Sequence, residues 1–211
     1  MKRCILAAFG IVAISPALAL ADISYDYLQL DVIVDGEVDN DDDIDYDGIG
    51  LEGSVLFMPY VFGFAEANSR ELELEDFDAA FSTFSAGVGA RHGFDLMGPP
   101  ALDVYGTLSY ESYELIGSAR GWGVGGGLRW LPVPEFEVDL GVRYVDYGSL
   151  DAGENLDGDI DGMRYSLRGL FNMTPNSAIL LDLRFADLEI ENDDSMDLDE
   201  QEIRLGYRWY Y

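Results

Sequence analysis

The stretch Ile203-Arg-Leu-Gly-Tyr-Arg-Trp-Tyr-Tyr211 decides the fold class of this chain of 211 residues. Apolar or aromatic residues occupy every second position, and Arg204, Gly206, Arg208 and Tyr210 lie between them. A period of two is typical of a β-strand, so one face of this strand is apolar and the other is mostly polar. A soluble strand would expose the aromatic face to water, whereas a strand that closes a barrel in a lipid bilayer requires such a face. The stretch therefore predicts a transmembrane β-barrel.

The N-terminal residues predict export. Lys2 and Arg3 precede an apolar run from Ile5 to Ile14, and Ala19-Leu20-Ala21 has the small-x-small pattern of a signal-peptidase site. The alternative is a retained membrane anchor, but the apolar run is shorter than the roughly 20 residues that span a bilayer. We therefore predict a cleaved signal peptide over residues 1–21 and a single domain over residues 22–211.

Composition excludes several classes of protein. The only cysteine, Cys4, leaves with the predicted signal, so the mature chain forms no disulfide. Loss of Lys2 and Arg3 leaves ten arginines against 41 acidic residues, a formal charge of −31. A chain this acidic is not expected to bind nucleic acid, whose affinity comes largely from basic side chains. A hydrophobic content of 48% argues against disorder.

Two kinds of connection alternate along the chain, and together they divide it into ten predicted strands. Four connections are short and rich in proline or glycine: Met58-Pro59, Gly93 to Pro100, Pro132 to Pro134, and Thr174 to Ser177. Five are acidic: Asp35 to Asp43, Arg70 to Asp78, Leu115 to Arg120, Ser149 to Ile160, and Glu191 to Asp199. An even number of antiparallel strands places tight turns on one side of a membrane and longer loops on the other. The pattern predicts an all-β, up-and-down antiparallel barrel of ten strands; eight remain an alternative if the third strand, Tyr60 to Ala67, and a neighbour do not span.

Charged residues fall on one face of the predicted strands. An arginine that faced lipid at mid-membrane would cost roughly 2–4 kcal/mol, so these side chains are expected to point into the lumen and pair there. The alternative is an open pore whose charges select ions, but a barrel of about ten strands is close to the size that side chains fill. The predicted lumen network comprises Arg91, Arg129, Arg143, Arg164, Arg168, Arg184, Arg204, Arg208, Glu52, Asp103, Glu137, Asp139 and Asp182.

Aromatic residues near the predicted strand ends favour a membrane barrel over a soluble, lipocalin-like one. They include Tyr60, Tyr110, Trp122, Trp130 and Tyr144. Tyr and Trp rings prefer membrane–water interfaces and form the girdles of outer-membrane barrels. A soluble barrel would reverse the pattern, with apolar residues inside and charges outside.

With these features the chain resembles the small outer-membrane β-barrel proteins of Gram-negative bacteria, which have eight to ten strands. The resemblance covers the whole chain, and Gly141-Val-Arg-Tyr-Val-Asp-Tyr147 is similar to the repeating hairpins of that family. It implies an integral outer-membrane location, contact with lipid and lipopolysaccharide, and a monomer. It also implies recognition by the barrel-assembly machinery through the C-terminal signal Ile203, Leu205, Tyr207, Trp209 and Tyr211. The family includes adhesins, structural proteins, proteases and lipid A enzymes, so membership would not fix an activity.

A catalytic site is not predicted. The single histidine, His92, lies at the turn end of the fourth strand, and its parity places it with the outward-facing residues. General-base chemistry needs a positioned and shielded partner, which the sequence does not offer beside His92. Paired carboxylates such as Glu137 and Asp139 are expected to neutralise arginines.

Two acidic segments have the form D-x-D-x-D-G, which begins a calcium loop: residues 43–48 and 157–162. The twelfth position of such a loop should be glutamate, but here it is Ser54 or Arg168. We therefore predict no cofactor and no metal site. Low-affinity bridging of Ca²⁺ or Mg²⁺ between these carboxylates and anionic lipopolysaccharide remains an alternative.

These observations together predict a structural or surface-interaction role in the cell envelope, with a charge-packed lumen and acidic extracellular loops. The first alternative is a narrow channel for small solutes or ions. The second is an outer-membrane enzyme that acts on lipid A or peptide. The sequence names no partner or substrate.

Overall fold

The chain forms ten β-strands in a single sheet. The computed structural model describes residues 23–39, 44–73, 78–94, 101–114, 117–149, 159–191 and 196–211. No helix among these residues is long and apolar enough to cross a membrane. The predicted signal peptide lies outside the described residues. The strands are β1 (Tyr27–Asp39), β2 (Ile44–Met58), β3 (Val61–Glu73), β4 (Asp78–Phe94), β5 (Ala101–Glu114), β6 (Ser118–Val133), β7 (Phe136–Ser149), β8 (Asp159–Thr174), β9 (Ser177–Glu191) and β10 (Met196–Tyr210).

The sheet closes into an up-and-down barrel. Each strand pairs antiparallel with the next, and β1 pairs with β10 in a register that sets Leu28 opposite Trp209 and Leu30 opposite Tyr207. Closure leaves no free edge, as a barrel in lipid requires. The predicted ten-stranded antiparallel architecture is confirmed, and the eight-stranded alternative is wrong because β3 is a full member of the wall.

The outer surface of the barrel is apolar. Leu30 is 57% exposed and Leu205 is 50% exposed, and both lie mid-wall on paired strands. The same alternation resolves β3. The predicted strand Tyr60 to Ala67 is apolar on both faces, so the sequence alone does not show which of its residues point inward. Phe62 and Arg70 are buried inside, so the odd-numbered residues between them face outward. A polar interior beneath an apolar exterior is the arrangement of a membrane barrel and the reverse of a soluble one.

Four connections are short and mark one end of the barrel, which we call the turn end. Three of them are two-residue turns at Pro59-Tyr60, Pro134-Glu135 and Pro175-Asn176. The other joins β4 to β5. The acidic connections mark the opposite end, which we call the loop end.

The strands extend further into the acidic segments than the sequence indicated. We expected connections over Asp35 to Asp43 and Arg70 to Asp78, but β1 continues to Asp39 and β3 continues to Glu73. The same correction applies to the other acidic segments: β8 begins at Asp159 and β10 at Met196. The physical reason is an alternation hidden among the acids, because apolar residues occupy every second position and pack inward at the loop end.

The barrel therefore has two parts with opposite polarity. At the loop end the interior is apolar, with Phe81, Val145, Tyr147, Ile160 and Leu188 almost fully buried against one another. Along these strands, exposed acidic residues alternate with the buried apolar residues. We call the exposed set the acidic collar: Asp35, Glu37, Asp45, Asp47, Glu71, Glu114, Asp159, Asp187, Glu189 and Asp199. Strands of about 15 residues tilted by about 40° rise on the order of 38 Å, whereas the apolar band of such barrels is about 25 Å tall. The collar accounts for the part of the strand height that exceeds the apolar band. Like a soluble barrel, it has apolar residues inside and charged residues outside.

Candidate functional site

The lumen of the membrane part holds a network of charged side chains, and its centre ties distant strands together. Arg168 of β8 lies 2.8 Å from Asp182 of β9 and 2.9 Å from Glu52 of β2. Arg184 shares Asp182 at 2.9 Å and pairs with Glu66 of β3. Because β2 lies four strands away from β8 around the wall, these ion pairs cross the lumen and fill it.

A second cluster lies above the first, toward the loop end. Glu202 of β10 accepts hydrogen bonds from the Nε atoms of Arg70 and Arg204, both at 2.6 Å, and from the hydroxyl of Tyr46 at 3.0 Å. Arg204 is fully buried and also donates to the Oδ1 atom of Asn68 at 2.7 Å. A buried carboxylate with donors from three strands is held in one geometry, so this cluster is a structural tie between those strands.

The wall formed by β4 to β7 carries smaller inward residues, and the large side chains of the other strands reach toward it. Glu111 accepts hydrogen bonds from Ser85 at 2.9 Å and from Ser109 at 2.5 Å, and Arg143 lies 3.3 Å away. A Cβ atom on Gly123 would lie 2.9 Å from the Glu111 carboxylate. The glycines of β6 therefore make room for lumen side chains.

Near the turn end, two further pairs occupy the lumen. Arg129 lies 2.6 Å from Glu137, and Arg91 lies 3.2 Å from Asp103. On the same side, Asp139 accepts a hydrogen bond from the hydroxyl of Tyr105 at 2.9 Å. The paired carboxylates Glu137 and Asp139 thus contact an arginine and a tyrosine, and neither contacts a candidate nucleophile.

A short segment before β1, Ile23–Asp26, occupies the turn-end mouth of the lumen; we call it the strap. Its backbone carbonyls accept hydrogen bonds from Arg91 (to Ile23, 3.0 Å) and from Arg129 (to Ser24, 2.8 Å). The side chain of Tyr25 is 3% exposed and lies between the two guanidinium groups, at 4.9 Å and 4.5 Å from its ring centre. The mouth is therefore filled by the chain's own backbone and an aromatic ring.

Packed groups occupy both ends of the lumen in the described part of the chain. The apolar interior of the collar closes the loop end, and the strap closes the turn end. Between them lies a cavity of about 150 Å³, lined by Tyr25, Glu66, Thr107, Arg143 and Ser166 among others. At roughly 10–15 Å³ for each water position, this space suits a group of waters among charged side chains.

The structure places every member of the predicted lumen network on the inward side of the wall. Arg208 is fully buried, donates to Gln29 at 2.8 Å and lies over the ring of Tyr27 at 3.8 Å. Arg164 lies 3.9 Å from Glu200. Twelve of the thirteen predicted residues form ion pairs with charged side chains in the lumen: Arg91, Arg129, Arg143, Arg164, Arg168, Arg184, Arg204, Arg208, Glu52, Asp103, Glu137 and Asp182. The thirteenth, Asp139, accepts the hydrogen bond from Tyr105 described above.

Six inward charged residues of the described strands lie outside the predicted network. The period of two already places Asp31 and Glu111 on the polar face, but sequence reasoning missed the other four. Arg70 was assigned to an acidic connection, and Glu66 lies on the strand whose phase was open. Glu200 and Glu202 precede the stretch from which the last strand was phased. Counting back by twos from Arg204 would have found both glutamates, because β10 begins at Met196.

His92 does not belong to the lumen. Its side chain is exposed on the outer surface near the turn end, where its ring meets Phe94 edge to face at 5.0 Å. A general base needs a shielded position, and the exposed imidazole of His92 does not have one. The described residues contain no group of three or more His, Cys, Asp or Glu that could hold a metal ion. Residues 43 and 157–158 of the two D-x-D-x-D-G segments lie outside the described residues, and divalent-cation bridging there stays a prediction.

The predicted C-terminal signal lies on the outer face. Its five side chains, Ile203, Leu205, Tyr207, Trp209 and Tyr211, are between 38% and 65% exposed. They form one continuous apolar stripe along β10, since the intervening residues point inward. Recognition of the stripe by the assembly machinery stays a prediction.

Comparison with known proteins returns structural likeness only. No family model matches the chain, and no curated protein matches it. Similar solved structures include Neisserial surface protein A (13% identity, 88% of this chain and 96% of that chain, TM-score 0.39). They also include Ail, the attachment invasion locus protein of Yersinia pestis (13%, 88% and 99%, 0.38), and the Acinetobacter baumannii outer membrane protein Omp33 (13%, 89% and 98%, 0.35). These identities and TM-scores are low, and it is the barrel's own inverted polarity that indicates a membrane.

Proposed function

We propose that this protein is an integral outer-membrane barrel with a structural or surface-interaction role in the cell envelope. The observation that carries the proposal is the distribution of charge. Ion pairs fill the lumen of the apolar-walled part, whereas acidic side chains cover the collar. The wall is suited to lipid and the collar to water, so the molecule would display a rigid, anionic surface outside the bilayer.

The packed lumen supports this role over transport. A pore needs a continuous aqueous path, but the central ion pairs join walls on opposite sides and both mouths are filled. Nine arginines and ten carboxylates point inward from the described strands, so the lining is close to neutral and has little capacity to select ions by sign.

The narrow channel is the second candidate, and the cavity of about 150 Å³ is the feature that favours it. Single-channel recording of the refolded protein in planar bilayers separates the two roles. We expect no conductance steps, with a general porin reconstituted in the same way as the positive control. Stable unitary steps would overturn the structural role.

Location is tested first by fractionation and gel mobility. We expect the protein in the outer-membrane fraction, and a shift in apparent mass between unheated and boiled samples in detergent, because a closed barrel resists detergent until heated. Recovery as a soluble periplasmic protein without a shift would overturn the proposal.

Comparison of lipid A and peptide substrates before and after incubation with the protein tests the enzymatic alternative. Turnover that is lost on His92→Ala would favour that alternative.

A further inference from the structure

We propose that the strap, Ile23–Asp26, is a displaceable plug that controls access from the turn end to the lumen cavity. The strap is not a strand of the wall: it enters the mouth as irregular chain before β1 begins at Tyr27. Its side chain Tyr25 lines the same cavity as Ser166 and Thr107, so removal of the ring would join that cavity to the turn-end mouth.

Asp26 is the fixed end of the strap, because its carboxylate accepts a hydrogen bond from the Leu56 backbone N–H at 2.6 Å and its carbonyl accepts one from Tyr211 at 3.4 Å. The contacts of Ile23, Ser24 and Tyr25 can release without loss of a strand pairing in the wall. Two backbone carbonyls accept single hydrogen bonds from Arg91 and Arg129, at 3.0 Å and 2.8 Å. Both arginines keep a carboxylate partner of their own, Asp103 and Glu137 respectively, so neither would be left as an unpaired charge when the strap leaves. Departure of the strap therefore exposes the apolar surface of Ile23 and Tyr25 but leaves no unpaired charge in the lumen.

The ring of Tyr25 supplies most of the specific contact. It lies 4.9 Å and 4.5 Å from the two guanidinium carbons and 4.6 Å from the ring centre of Phe62. Its hydroxyl has no hydrogen-bond partner in the described part of the chain. The ring should therefore determine how often the mouth opens, and the hydroxyl should matter little. Loss of two cation–π contacts and one ring contact corresponds to a change in the opening equilibrium on the order of 30-fold.

The near absence of cysteine makes opening directly measurable. Cys4 is the only cysteine and belongs to the predicted signal, so a refolded chain that begins at Asp22 carries no thiol. Ser166→Cys introduces one at the cavity with little change of shape, and Gln201→Cys introduces one on the exposed side of β10 at the collar. The second thiol serves as the control for reagent and folding.

The experiment measures the rate at which a small methanethiosulfonate reagent labels each thiol in the folded barrel. With the native strap, we expect Ser166→Cys to react far more slowly than Gln201→Cys. Adding Tyr25→Ala should raise the Ser166→Cys rate by about 30-fold, whereas Tyr25→Phe should leave it unchanged. A chain that begins at Tyr27 should react at least as fast as the Tyr25→Ala variant, and the Gln201→Cys rate should be the same throughout.

Equal rates for Ser166→Cys with and without Tyr25 would overturn the proposal, and so would rapid labelling behind an intact strap. Failure of both strap variants to fold, read from the heat-dependent gel shift, would also overturn it, because a displaceable plug is not needed for barrel closure. The readout is independent of conductance. The loop end stays closed by the collar interior, so a negative bilayer recording and a positive labelling result are compatible.

Discussion

Asp182 is the position where the lumen network is most vulnerable to one small change. It is fully buried, and its Oδ2 atom accepts hydrogen bonds from Arg168 at 3.1 Å and 2.8 Å and from Arg184 at 2.9 Å. Asp182→Asn keeps the size and shape of the side chain, removes its charge, and introduces two N–H donors. The substitution therefore isolates the contribution of charge in the lumen from that of packing.

The expected loss of stability depends on which partners Arg168 and Arg184 keep after the substitution. Removal of one partner of a buried ion pair costs about 3–5 kcal/mol, because the other charge is left uncompensated. Here Arg168 still has Glu52 at 2.9 Å and Arg184 still has Glu66, so the lower end of the range applies. We expect Asp182→Asn to lower the free energy of unfolding by about 3 kcal/mol.

The matched control is Asp187→Asn on the same strand, which makes the same chemical change on the exposed collar. It should alter stability by less than about 0.5 kcal/mol. Urea titration of the protein in lipid vesicles measures both, with tryptophan fluorescence as the signal, because all three tryptophans, Trp122, Trp130 and Trp209, lie on the outer surface. If Asp182→Asn is no more destabilising than Asp187→Asn, the lumen pairs do not stabilise the barrel and the packed-lumen reasoning fails.

Three further predictions concern the wall and the collar. Leu181→Arg on the outer face should cost about 2–4 kcal/mol in vesicles, whereas Tyr60→Arg at the turn end should cost less than about 1 kcal/mol; equal costs in urea titration would refute the membrane orientation. Gly127→Ala would place a methyl group 2.3 Å from the Leu140 carbonyl oxygen and 2.4 Å from the Tyr105 hydroxyl, so it should destabilise by about 1–3 kcal/mol, and an unchanged urea midpoint would contradict this. Raising NaCl from about 0.01 M to 0.15 M should increase the melting temperature, because screening weakens repulsion within the collar; a decrease would show that attractive surface pairs dominate.

Most of the architecture was predictable because membrane strands carry a strict period. In β10 the apolar stripe from Ile203 to Tyr211 fixes which face meets lipid, and the intervening Arg204 and Arg208 then point inward. Alternating short and acidic connections fix the number of strands. These signals are local, so one sequence is enough to detect them.

The collar was not predictable in the same way, because its polarity is inverted. Around Leu188 the acids of β9 face water and the apolar residues face the interior, whereas around Leu181 the apolar residue faces lipid. The alternation of outward and inward side chains continues along β9, but the apolar residues change from the outward set, which ends at Phe185, to the inward set, which begins at Ala186. Composition identified these segments as acidic but could not show that their apolar residues pack together across the barrel.

The partners within the lumen network were also beyond sequence reasoning. Glu52 and Arg168 are separated by 116 residues, and their contact depends on side chains that cross the lumen between strands that are not neighbours. Strand pairing predicts only which residues lie side by side. The strap was missed for a related reason, since Ile23 and Tyr25 alternate like the start of a strand but turn into the mouth.

The separation of charge between lumen and surface connects these findings to the proposed role. Residues 22–211 contain ten arginines, and nine of them point into the lumen, where ten carboxylates nearly balance them. The tenth, Arg120, is exposed. The inward side chains of the described strands therefore contribute only −1 to the formal charge of −31, whereas the ten carboxylates of the acidic collar contribute −10 at the loop end. The negative charge of the collar acts on any molecule that approaches it, whereas the charges in the lumen nearly cancel. We therefore expect partners to bind at the collar and not in the interior.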